Sequence, residues 1–165
     1  MIGSDGVPGE EMHVAAMTPA HAARIVTWCY PEPYACYDMT GAEPDTLLDP
    51  SSGYFALISG HELIGFRSFG PDGRVPGGSY DDSALDTGGG LRPDLTGRGL
   101  GRSAIETSLR FGRERFSPVA FRLTVASFNT RAQLVVGRLG FRRVGRFAAS
   151  TDGREYDIFV RAERP

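Results

Sequence analysis

Lysine is missing from this 165-residue chain: all 18 basic side chains are Arg. That excludes a phosphate-binding loop of the Gly-Lys-Ser/Thr kind, whose lysine reaches the terminal phosphates. Cysteine is scarce, with only Cys29 and Cys36, in "CYPEPYAC". Without a second Cys or His pair and without an export signal, the default is two reduced thiols in a cytoplasm. His13, His21 and His61 each stand without metal-ligand company, so no metal is expected. No apolar run approaches the roughly 20 residues of a membrane-spanning helix, and no membrane partner is expected. The opening "MIGSDGVPGEE" lacks the basic start and apolar stretch of a secretory signal. Residues 1–11 are expected to be a disordered leader and 12–165 one domain.

What is present is ordinary in amount and uneven in placement. Hydrophobic residues make up 41% and charged residues 23%, a globular composition, and the net charge is −2. Yet residues 1–90 hold three Arg against thirteen acids, and residues 91–146 hold twelve Arg against three acids. The basic stretch is either a set of solvated helix faces or a local attraction for an anion. No recognition motif or basic pI accompanies it, so nucleic acid is not the expected partner.

Periodicity and turn chemistry divide the chain. "HVAAM" (13–17) reads as a strand. "TPAHAARIVTW" (18–28) reads as a helix, with Thr18 as cap and Pro19 in the first turn. An aromatic loop follows over 30–38, then a short helix over 43–50. Two apolar runs around Gly60-His61 predict a hairpin over 53–69. Residues 84–91 and 119–127 read as strands, Gly99 to about Phe116 and 129–140 as helices, and 141–160 as a closing hairpin. The order β-α-α-β-β-β-α-β-α-β-β predicts an α/β (α+β) fold: a mixed, mainly antiparallel sheet with helices on both faces.

The stretch "LRPDLTGRGLG" (91–101) carries the chemistry. It follows Gly88-Gly89-Gly90 and runs into the helix. A helix start exposes unpaired N–H groups and a partial positive charge. Gly97, Gly99 and Gly101 remove every second side chain there, and Arg98 and Arg102 add charge. This is a diphosphate cradle or a ligand-free glycine turn. A dinucleotide fingerprint fits poorly, because position 102 is Arg where the last glycine is needed.

"LRPDLTGRGLGRSAIE" resembles motif A of the GNAT superfamily of N-acetyltransferases, whose core reads Gln/Arg-x-x-Gly-x-Gly/Ala. "LTVASFNTRAQLVVGRLGF" resembles the superfamily's motif B, with Asn129, Ala132, Gly140 and Phe141 in register. The resemblance implies a sheet splayed at its centre and acetyl-CoA as acyl donor. By it, Thr96, Gly97, Arg98, Gly99, Leu100, Gly101 and Arg102 would hold the diphosphate. Leu91 would pair with the pantetheine arm, and Asn129 would reach the coenzyme. Close approach of that arm would explain Gly88 to Gly90. Two positions depart from the pattern: Thr96 stands at the Gln/Arg position, and Val136 stands where many members carry the tyrosine that protonates the leaving thiolate.

The resemblance implies transfer of an acetyl group to a primary amine of a small molecule or a protein N-terminus, by direct attack. Such an amine, with a pKa of roughly 10.4, needs a base. Asp86 is the expected base, with Tyr156 a substitute acid. Trp28, Tyr30, Tyr34 and Tyr37 are expected to line the acceptor pocket, where aromatic rings suit a cation. The alternatives are a non-catalytic acyl-CoA-binding module, kept open by Val136, and a transferase of larger acyl groups. A monomer or homodimer is expected.

Overall fold

The computed structural model describes residues 11–164; apart from Glu11, the leader expected over residues 1–11 lies outside them. Strands β1 (Met12–Ala16), β2 (Tyr54–Ser59) and β3 (Glu62–Phe69) form an antiparallel meander. β4 (Leu85–Leu91) extends it. Beyond lie β5 (Ala120–Ala126), β6 (Arg142–Ala148) and β7 (Glu155–Ala162), and the seven strands run in the order β1-β2-β3-β4-β5-β7-β6. Among the described residues the single parallel pair is β4 with β5; every other pair is antiparallel.

Among the described residues four α-helices cover the faces: α1 (Pro19–Ile25), α2 (Pro44–Leu48), α3 (Gly101–Phe116) and α4 (Thr130–Arg138). Thr18 caps α1 by accepting from His21 N–H, and Asn129 caps α4 by accepting from Ala132 N–H. α1 and α2 pack over Trp28, Ile58, Leu63 and Phe66. α3 and α4 cover the opposite face, on Leu109, Phe121, Val136 and Phe159 and on Leu57, Ile64, Leu95 and Leu100. α3 starts two residues later than its glycine pattern predicts. Pro93–Leu95 first make a 3₁₀ turn, and Gly97 and Gly99 then take φ +74° and +81°. That left-handed backbone cannot belong to a right-handed helix and suits glycine.

Candidate active site

The sheet opens where β4 and β5 meet. Only Leu85 with Phe121 and Asp86 with Arg122 are paired; both strands run on without partnering each other. Gly70 N–H donates to Asp86 C=O and Arg92 N–H to Ile64 C=O, so the main-chain groups of residues 86, 88, 90 and 92 face β3. Those of Thr87, Gly89 and Leu91 therefore face the gap. Across it, Ser127 N–H bonds Glu155 C=O and Glu163 N–H bonds Val119 C=O, both on the β7 side. The same alternation turns the main chain of Arg122, Thr124 and Ala126 toward the gap. The result is a V with two lips of main-chain donors and acceptors.

The C-terminal end of β4 leads to the start of α3. Among the described residues no side chain caps α3, and no acid sits in its first turn. A Cβ on Gly99 or Gly101 would meet nothing within 4 Å, so the turn leaves open space beside its backbone. Arg98 is exposed, Arg102 pairs with Glu106 at 3.1 Å, and Leu100 is buried beneath the loop. Thr96 donates its hydroxyl to Pro93 C=O, at 2.9 Å. A cation does stand beside the loop, from α4. Arg131 lies over the Tyr34 ring, 4.7 Å from its centroid, and its Nη1 is 3.1 Å from where a Gly97 Cβ would be. Only the folded chain brings residue 131 to the loop.

Two glycines of β4, Gly89 and Gly90, have a reason within the protein itself. A Cβ at Gly89 would run into Phe66 C=O and lie 2.7 Å from Arg67 Cδ; one at Gly90 would lie 3.1 Å from Tyr30 Oη. They make room for the protein's own β3 and Tyr30. Arg67 is buried, bonds Thr87 Oγ1 at 3.3 Å and leaves its Nε without a partner. Burial pulls its guanidinium down to about 10.

The aromatic loop straps across the mouth of the V. Tyr30 Oη donates to Leu91 C=O on the β4 lip at 2.6 Å. Tyr37 Oη accepts from Ala126 N–H on the β5 lip and from Asn129 Nδ2, both at 3.2 Å. Burial raises both phenols above the ordinary tyrosine range, with Asp38 adding to the shift at Tyr30. Asp38 Oδ1 accepts from Tyr30 N–H at 2.6 Å. Two of the expected pocket rings are otherwise engaged. Trp28 is 6% exposed and packs on Phe66 in the core. Tyr34 packs on Phe128 and is already covered by Arg131, and Arg154 covers Phe128. A cationic acceptor would have to displace these guanidinium groups to reach the rings.

The expected catalytic pair fares differently at each member. Asp86 is 2% exposed and accepts from Arg122 Nε and Nη2, each at 2.7 Å, and from Arg74 Nε at 2.8 Å. A carboxylate held by three guanidinium N–H bonds is committed to a structural ion pair. The sequence shows the Asp but not the two Arg that converge on it. Tyr156 stacks on Phe147 with centroids 6.0 Å apart, in register with Ala126. Val136 is buried in the core beside Phe141 and Phe159, so the α4 position offers no hydroxyl. Among the described residues no three His, Cys, Asp or Glu side chains converge on a metal site, and no helix is long and apolar enough to cross a membrane.

A parallel strand pair that parts beneath an uncapped, glycine-lined helix start is the architecture of one acyl-transfer class. The chain belongs to the acetyltransferase (GNAT) family, whose model matches residues 20–141. It is 31% identical over 99 residues to the N-alpha-acetyltransferase RimI of Mycobacterium tuberculosis, a match that takes in 60% of this chain. The chain spans 58% of that relative's length. Among solved structures, a GNAT-family acetyltransferase from Bacillus anthracis superposes with a TM-score of 0.71 at 13% identity, covering 94% of this chain and 97% of the other. The aminoglycoside acetyltransferase AAC(6')-Ib in complex with coenzyme A gives 0.70 at 16%, covering 93% and 95%.

Proposed function

We propose that this protein is an N-acetyltransferase that moves an acetyl group from acetyl-CoA to a primary amine. The observation that carries the reading is the V between β4 and β5, opening toward the uncapped α3 start. Main-chain groups of Gly89 and the N–H of Leu91, whose C=O is taken by Tyr30, suit an amide-bearing arm, and the N–H groups at Gly99 and Gly101 suit a diphosphate. The space beside Gly89 and Gly90 is filled by Arg67, Phe66 and Tyr30, which favours a short acyl group over a long one. Likeness to an N-alpha-acetyltransferase supports an amine acceptor, with a protein N-terminus and a small amine as the two classes to try.

The base is assigned to Asp38 in place of Asp86. Its carboxylate is anchored to the loop over the cleft by Tyr30 N–H and acts on the incoming ammonium through water. Asp38→Asn keeps an oxygen for that N–H, so the loop should hold. Turnover should fall about a hundredfold while coenzyme A affinity stays; equal turnover would move the base elsewhere. Arg131→Ala should weaken acetyl-CoA about tenfold, the loss of one charge-assisted contact to phosphate. Acetyl-pantetheine, which lacks the diphosphate, should not feel the change in kcat/KM. Equal losses for both donors would remove Arg131 from the cradle.

The overall reading is tested by incubating the protein with acetyl-CoA and a panel of small amines and N-terminal peptides while following thiol release. Tight coenzyme A binding without turnover on any amine would favour a non-catalytic module.

A further inference from the structure

The chain places a valine where the family's proton donor often stands, yet a hydroxyl waits at the cleft from another element. We infer that Tyr37, on the loop between α1 and α2, is the acid that protonates the departing thiolate. The inference rests on the acyl-transfer reading above and names a residue that no motif of the sequence assigns.

Three observations converge. First, Tyr37 Oη occupies the cleft lip: its donor Ala126 N–H belongs to the β5 edge that faces β4 across the gap. Second, its other partner is Asn129 Nδ2, from the residue that caps the start of α4. The phenol thus stands at the α4 entrance, although Val136, two turns along that helix, is buried in the core. Third, both bonds are donated to the Tyr37 oxygen. Among the described residues no acceptor takes its O–H, so the proton is free to be given away. Tyr30 differs in this respect, because its proton is committed to Leu91 C=O.

The electrostatics suit a donor. Burial keeps the phenol protonated at neutral pH, while the bonds from Asn129 and Ala126 pull in the opposite direction by stabilising the phenolate. Both effects are useful: the proton is present before transfer, and the anion left behind already has two donors on it. The amine nitrogen forms its bond to the acyl carbon, the carbon–sulfur bond breaks, and the electron pair leaves on sulfur. The Tyr37 proton passes to that sulfur, giving the thiol. The ammonium loses two protons on its way to the amide: the first leaves through Asp38 and water to solvent, and the second, lost from nitrogen as the amide forms, returns by the same route to the phenolate. Amine and thioester become amide and thiol with no further reactant.

The test uses the whole chain and coenzyme A. Tyr37→Phe should lower kcat about a hundredfold, with the KM for acetyl-CoA unchanged. A second readout needs no turnover: the thiol of bound coenzyme A is titrated by its thiolate absorbance. In the wild type, an O–H beside sulfur stabilises the thiolate, so the bound thiol titrates at lower pH than it does in Tyr37→Phe. Unchanged turnover overturns the proposal. So does a fall in turnover with identical thiol titrations, which would mark Tyr37 as a structural strap. If Tyr37→Phe unfolds, replacing the Tyr37 side chain by a fluorinated tyrosine keeps the shape and raises phenol acidity. The bound thiol must then shift, and no shift overturns the assignment. A wild type inactive on every amine but showing the low thiol titration would sink the transferase reading and leave the Tyr37–sulfur contact standing.

Discussion

Gly99→Glu is expected to lose coenzyme A binding while keeping its fold. The glycine sits at φ +81° with open space where a Cβ would be, so the new side chain meets no atom of the protein. It does carry the strain of a left-handed residue, about 1–2 kcal/mol. That lowers the melting midpoint by several degrees at this chain length. Binding suffers far more. A carboxylate about 4 Å from one phosphate charge costs about 4 kcal/mol at an effective dielectric of 20, and that is about a thousandfold in affinity. Gly99→Ala separates the two effects, since it carries the strain without the charge. Calorimetry should find coenzyme A bound by Gly99→Ala and not by Gly99→Glu. Equal affinity in the two variants would leave the start of α3 without a ligand.

The second large effect is on stability. Asp86→Asn should cost about 3–5 kcal/mol, because it removes the charge that compensates Arg122, itself 5% exposed. Exposed Asp81 cannot make up the loss: its carboxylate is 3.2 Å from Arg122 Nη1, and Oδ1 is already shared with Ser83. Urea unfolding would read the change directly. The same variant separates a base from an ion pair. Loss of a base would abolish turnover and spare stability. Loss of the ion pair should spare turnover in the fraction that stays folded at low temperature. A stable, inactive Asp86→Asn would restore Asp86 to catalysis.

These two positions show how far the sequence reaches. Gly99 is legible because its constraint is local: a left-handed turn and a helix start both act within a few residues. The order of strands and helices is legible for the same reason, since period, caps and turn residues are local quantities. The seven strands and four helices fall close to their predicted spans. Asp86 misleads because its meaning lies in Arg122 and Arg74, placed by a parallel strand and a loop. Trp28 misleads in the same way: a ring in an aromatic loop is equally suited to a pocket or a core, and Phe66 decides.

What the chain determined by itself, then, is the family, the order of its elements and the glycine-lined start of α3, because backbone geometry and helix-end electrostatics are written in neighbouring residues. Tertiary structure alone decided which polar groups are already spent. Asp86 is held by guanidinium groups, Tyr30 is bound to Leu91, and Arg131 is carried to Gly97. Hydrogen bonds between residues 36 to 92 positions apart decide whether a proton or a charge is free to act. Sequence spacing holds no record of such bonds until the sheet closes on one side and parts on the other.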